Sequence, residues 1–130
     1  MKQIEDWKVL FIDDDQGIRR VMTVTLEDVG YRVLTAADGK SGIELCREES
    51  PQIVITDIRM PGMNGLEVLK SIKETDPNRE VIVTTAYGEI EYAIQALQLG
   101  ASDFITKPIN DDALQVALER AKKHYTTQRK

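Results

Sequence analysis

A chain of 130 residues is long enough to bury one full core without disulfide or metal support. Its formal net charge of −5 excludes a generic nucleic-acid binder, whose affinity needs a basic surface, and its single cysteine, Cys46, excludes an intrachain disulfide. Charges at Lys2, Glu5 and Asp6 break up any apolar leader, and no apolar run reaches membrane-spanning length, so a soluble cytoplasmic protein without membrane contact is expected.

The elements follow in order. Residues 8–12 (Lys-Val-Leu-Phe-Ile) form a buried strand that runs into Asp13, Asp14 and Asp15. Ile18, Val21, Met22, Thr25, Leu26 and Val29 then recur at helical spacing, with Asp15 as the cap and Gly30 as the stop. Residues 31–35 make a second strand. Asp38 opens a helix from Gly39 to Glu49, with Ile43, Leu45 and Cys46 on its buried side, and Pro51 prevents continuation. The β-branched run 53–56 is a strand buried on both faces, and it ends at Asp57.

Pro61, Gly62, Asn64 and Gly65 force a turn, and Asn64 with Glu67 starts a capping-box helix carrying Leu66, Val68, Leu69 and Ile72 as far as Asp76-Pro77. Residues 81–84 form a fourth strand leading to Thr85-Ala86. Gly88 introduces a helix with Ile90, Ala93, Ile94 and Leu97 on one face, stopped by Gly100. Residues 102–106 are a short fifth strand ending at Lys107-Pro108. Asn110, Asp111 and Asp112 start a last helix whose face is Leu114, Ala117, Leu118 and Ala121.

Five alternations with short connections predict an α/β fold, a doubly wound five-stranded parallel sheet in the flavodoxin-like order 2-1-3-4-5. The domain is expected at 8–124, with an N-terminal extension at 1–7 and a tail or linker start at 125–130. In that order strands one and three are neighbours at the switch point, so Asp13, Asp14 and Asp57 share one pocket. Carboxylates so gathered call for a hard divalent cation, and oxygen-only donors in a small site favour Mg²⁺. Asp57 is then a nucleophile for a phosphoryl group, with Lys107 as a point charge and Thr85 as a hydroxyl donor for the phosphoryl oxygens. Each residue also has a plainer reading: Asp15 as a helix cap, Thr85 and Lys107 as loop residues, Phe104 as a core aromatic, and His124 as a surface group complementing a helix C-terminus.

The acidic pair Asp13-Asp14, the acceptor Asp57, the run Pro61-Gly62-Met63-Asn64-Gly65, Thr85-Ala86, Phe104 and Lys107-Pro108 stand in order, over nearly everything from Lys8 to about Lys123. At these spacings they closely resemble the receiver domain of bacterial two-component response regulators. The resemblance implies that Asp57 takes a phosphoryl group from the phosphohistidine of a sensor histidine kinase or phosphotransfer protein. It implies a Mg²⁺ ion, with Mn²⁺ as the alternative, bound by Asp14 directly, by Asp13 largely through water, by Asp57, and by the backbone carbonyl of Arg59. It further implies a cis Lys107-Pro108 bond, a grip on the phosphoryl group by Thr85 and Lys107, and an inward turn of Phe104 as Thr85 moves. The surface of helix four, strand five and helix five is the implied output, with homodimerisation on phosphorylation as one form of it.

Arg59 and Tyr87, two residues after Asp57 and Thr85, are expected to flank the acyl phosphate and slow its hydrolysis. The expected chemistry is limited to the domain's own phosphorylation and dephosphorylation, with no direct binding of nucleic acid. Two rivals share the fold class. A haloacid-dehalogenase-like aspartyl-phosphate phosphatase needs a second aspartate two residues after its nucleophile, where Arg59 stands, although Asp13 and Asp15 have that spacing. A flavodoxin-like cofactor binder needs a Gly-rich or Ser/Thr-rich phosphate cradle, which the strand-to-helix turns lack.

Overall fold

The structure, a computed structural model, describes residues 6–128. Strand and helix alternate as β1 (Lys8–Ile12), α1 (Gln16–Val29), β2 (Arg32–Ala36), α2 (Gly39–Glu49), β3 (Ile53–Asp57), α3 (Gly65–Thr75), β4 (Glu80–Thr85), α4 (Ile90–Gln98), β5 (Asp103–Thr106) and α5 (Asp111–Gln128). Every ladder is parallel and the order is β2-β1-β3-β4-β5, the doubly wound arrangement expected from right-handed crossovers.

β1, β3 and β4 are buried on both faces because successive side chains enter opposite apolar layers. Val9, Phe11, Ile53, Ile55 and Ile82 meet Met22 and Leu26 of α1 and Leu114 and Leu118 of α5. Leu10, Ile12, Val54, Val81 and Val83 meet Cys46 of α2, Val68, Leu69 and Ile72 of α3, and Ala96 of α4. Local chemistry sets the helix ends. Asp15 and Asp38 accept from the Ile18 and Ser41 amides, and Asn64 with Glu67 forms the reciprocal capping box.

Five details differ from the sequence reading. Gly30, at φ 113°, turns the chain so that the Tyr31 amide donates to the Leu26 carbonyl at 3.1 Å, and β2 begins one residue later, at Arg32. β4 begins earlier, at Glu80, whose amide reaches the Gln52 carbonyl at 3.1 Å, and β5 starts at Asp103. In α4 the buried residues are Ala93 and Ala96, whereas Ile90, Ile94 and Leu97 are about half exposed. Two alanines seat the backbone close to the sheet and rotate the larger aliphatics outward. α1 also departs from the expected face, burying Met22 and Leu26 and leaving Val21 in solvent.

His124 is not a free surface group. Its Nδ1 lies 2.9 and 3.0 Å from the two oxygens of Glu80, a fully buried carboxylate that also accepts from Gln128 Nε2 at 2.8 Å and from Ser102 Oγ. α5 thus continues to Gln128, and Tyr125 stacks edge-on against the buried Trp7 at 5.4 Å. The rest of the expected extension (1–5) and the tail end (129–130) lie outside the described residues. Among the described residues no helix is long and apolar enough to cross a membrane.

Candidate functional site

Parallel strands bring their carboxyl ends to one edge, and that edge collects the chemistry. β1 delivers Asp13, fully buried because its amide is tied to the Ala36 carbonyl at 3.1 Å and its own carbonyl accepts from Arg19 Nη1 at 2.7 Å. Asp13 Oδ1 accepts from the Asp15 amide at 2.9 Å, which shapes the acidic turn and leaves Asp14 exposed. β3 ends in Asp57, opposite Thr84 in the ladder and almost wholly buried. β5, paired with β4 through Thr85 and Thr106, leads into Lys107, whose peptide bond to Pro108 is cis.

Lys107 joins these elements. Its amide donates to the Thr85 carbonyl at 2.7 Å, while its Nζ lies 2.9 Å from Asp13 Oδ2 and 3.0 Å from Asp57 Oδ2. Carboxylate oxygens of Asp13, Asp14 and Asp57 come within 4.8 Å of one another. One ammonium shared by two buried carboxylates leaves negative charge uncompensated, and the titration behaviour follows. Burial raises the Asp57 pKa above the usual carboxylate value; Lys107 opposes that and Asp13 adds to it. Burial alone would lower the Lys107 pKa, but its hydrogen bonds and charge contacts with Asp13 and Asp57 outweigh this and raise it. An all-oxygen donor set with excess negative charge fits a hard divalent cation.

The remaining candidates are placed unevenly. Thr85 is buried at the end of β4, and Phe104 is half-buried against the α2–α3–α4 layer. Tyr87 stands fully in solvent. The Arg59 amide lies 3.4 Å from Asp57 Oδ1, but its side chain turns away, with Nε 2.7 Å from Glu89 Oε2 and the guanidinium 5.4 Å from the Tyr92 ring centre. Gly65 is required by contact, since a Cβ there would meet Ile58 Cα at 2.7 Å and the Asp57 carbonyl closer still.

Two groups at this edge escape sequence reasoning. Glu89, nearly buried, reaches back three residues so that Oε1 accepts from the Ala86 amide at 2.8 Å; the spacing is that of the return half of a capping box, the one available signal. Thr84 carries a buried hydroxyl that has no hydrogen-bond partner among the described residues, and its sequence offers no cue to this.

Comparison with known proteins bears on this arrangement. A family profile, the response regulator receiver domain, matches residues 9–119. The chain is 38% identical over 120 residues to the DNA-binding transcriptional regulator NtrC of Escherichia coli strain K12, covering 92% of this chain and 26% of that protein. It thus spans about a quarter of the length of that regulator. It is 35% identical to the sporulation initiation phosphotransferase F of Bacillus subtilis strain 168, covering 87% of this chain and 91% of that one. A response regulator receiver domain protein from Clostridium thermocellum superposes with a TM-score of 0.90 at 33% identity, over 94% of this chain and 98% of the other. These relatives lend no support to the phosphatase alternative.

Proposed function

The chain belongs to the response regulator receiver domain family, and from that premise we propose that Asp57 accepts a phosphoryl group from the phosphohistidine of a sensor histidine kinase or phosphotransfer protein. The observation that carries this reading is the convergence of side chains from β1, β3 and β5, with one ammonium 2.9 Å from Asp13 and 3.0 Å from Asp57.

In the transfer, an Asp57 carboxylate oxygen forms the new P–O bond as the P–N bond to the donor imidazole breaks, and the nitrogen keeps the electron pair. Desolvation of Asp57 favours this attack, because fewer waters must be shed from its oxygens. Lys107 moves its contact from carboxylate to phosphoryl oxygen, and the Thr85 hydroxyl donates to a second oxygen. Asp13, Asp14, Asp57 and the Arg59 carbonyl are the residues to hold Mg²⁺, or Mn²⁺ in its place. The bound ion supplies charge neutralisation at the phosphoryl oxygens. The domain's chemistry ends with its own phosphorylation and dephosphorylation, and Arg59 and Tyr87, turned onto Glu89 and out into solvent in the unmodified protein, slow the hydrolysis only once they close over modified Asp57.

The unit that performs this is residues 8–124, with Trp7 and Tyr125 packed at its margins. Movement of Thr85 draws Phe104 inward and changes the α4-β5-α5 surface, where Ile90, Ile94 and Leu97 are available to a partner or a second copy. The expected setting is the cytoplasm.

Incubation with Mg²⁺ and acetyl phosphate, followed by intact mass and size-exclusion analysis, tests the assignment. Wild type should gain one phosphoryl mass and Asp57→Asn none. Continued turnover of acetyl phosphate by Asp57→Asn, or its stoichiometric labelling, would overturn the acceptor assignment.

A further inference from the structure

We propose that Glu89 is a positioning residue that stands in for the phosphoryl group in the unmodified protein, holding the Ala86 amide and the Arg59 guanidinium until modified Asp57 claims them. The inference rests on the phosphoacceptor reading of Asp57.

Glu89 occupies the N-cap position of α4, yet its side chain makes no cap hydrogen bond to that helix. It is instead spent on the site edge. Oε1 accepts from the Ala86 amide at 2.8 Å and Oε2 from Arg59 Nε at 2.7 Å, with only 10% of the side chain exposed. Both donors adjoin the acceptor's surroundings. Ala86 directly follows Thr85, and Arg59 lies two residues after Asp57, with its amide 3.4 Å from Asp57 Oδ1. A nearly buried carboxylate is retained at a cost unless its partners are good, and here both hydrogen bonds are short and one is to a guanidinium.

A phosphoryl group on Asp57 adds a second anion at the same edge, in need of those same donors. The two anions repel, and each hydrogen bond given to one is withdrawn from the other, so Glu89 and the phosphoryl group are alternative occupants. In the unmodified state the Arg59 guanidinium is also held 5.4 Å from the Tyr92 ring centre, a contact it gives up together with Glu89. Release of Glu89 also loosens the start of α4. The Glu89 amide donates to the Ala86 carbonyl at 3.2 Å, and the Tyr92 amide to the Glu89 carbonyl at 3.0 Å, so the side chain and the first turn of α4 move as one piece. The exposed aliphatics of α4 follow that turn.

Beryllofluoride with Mg²⁺, a phosphoryl mimic that needs no kinase, is the probe, followed through backbone amide spectra. Glu89→Gln keeps the shape and removes the charge. The expected result is a fall of about tenfold in the beryllofluoride concentration needed for half-saturation, the size of one charge-assisted hydrogen bond no longer competed for. A residue with a merely structural role predicts the opposite, unchanged or weaker binding, and that result overturns the proposal. A measurement on wild type guards against a variant that fails to fold: at saturation the Ala86 amide and Arg59 Nε–H resonances should both move, and their standing still overturns the proposal too. Wild type that neither binds beryllofluoride nor takes a phosphoryl mass would defeat the acceptor reading itself. Wild type that does both, beside a Glu89→Gln variant that binds no more tightly, defeats only the role of Glu89.

Discussion

Asp57→Asn should make the metal-free protein more stable, although it removes one side of an ion pair. At an effective dielectric of about 20, Lys107 at 3.0 Å attracts the Asp57 carboxylate by about 5.5 kcal/mol. Asp13, whose ligand oxygen lies within 4.8 Å, repels it by about 3.5 kcal/mol or more. The exposed, better-screened Asp14 adds about 1 kcal/mol of repulsion. Attraction and repulsion cancel to within about 1 kcal/mol, so the desolvation of a nearly buried charge decides the sign. Asparagine sheds the charge and keeps one acceptor, which serves Lys107 at the expense of the long 3.4 Å contact from the Arg59 amide. The expected gain is about 1–2 kcal/mol, or about 3–6 °C in Tm.

The pH dependence follows from linkage. A raised Asp57 pKa means that the native state holds its proton where the unfolded chain has lost it, so wild-type stability falls as pH rises from 3.8 through the folded value. The advantage of Asp57→Asn is therefore full at neutral pH, shrinks on acidification through that window, and vanishes below it. Mg²⁺ narrows the gap, since ion at ten times its dissociation constant stabilises wild type by about 1.4 kcal/mol and the variant by less. Urea unfolding at several pH values, with and without Mg²⁺, measures all three effects. Metal-free Asp57→Asn less stable than wild type at pH 7 would refute the charge balance, because the Lys107 contact would then outweigh burial and repulsion.

Lys107→Met strands two buried carboxylates and should cost about 3 kcal/mol in metal-free urea unfolding. With the Lys107 pKa raised above 10.5, the wild-type lead is full below that value and fades as pH climbs through the folded one. Gly65→Ala forces the start of α3 away from the Asp57 carbonyl and should lose about 2–3 kcal/mol in thermal unfolding, with weakened Mg²⁺ binding as the functional sign. His124→Ala withdraws one partner from the fully buried Glu80 and should cost about 1–2 kcal/mol, with faster amide exchange in the last two turns of α5.

What the sequence discloses divides by range. Asp15, Asp38 and the Asn64–Glu67 box act within three residues of themselves, so their roles are written in local spacing and appear in the structure as expected. The strand order follows from alternation and handedness, and it carries Asp13 and Asp57 to one edge although 44 residues separate them. Phase is harder to see. Ile90, Ile94 and Leu97 form as good an apolar stripe as Leu114, Leu118 and Ala121, and only the close seating of Ala93 and Ala96 on the sheet decides that the first faces solvent. Periodicity reports that a helix has an apolar face; the size of the residues nearest the sheet decides which face is buried.

The polar contacts that escaped share one property: each joins a carboxylate to a donor whose position depends on the whole fold. Glu80 meets His124 across 44 residues, and Glu89 meets Arg59 across 30. Neither carboxylate breaks a pattern, since an acid at a strand start or before a helix is unremarkable. The two pairs also sit at opposite ends of β4, with Glu80 at its start and Thr85, five residues before α4 begins, at its finish. β4 is thus pinned through α5 at the end remote from Asp57, while at the near end the Thr85 carbonyl holds the Lys107 amide and, just past the strand, the Glu89 carboxylate holds the Ala86 amide.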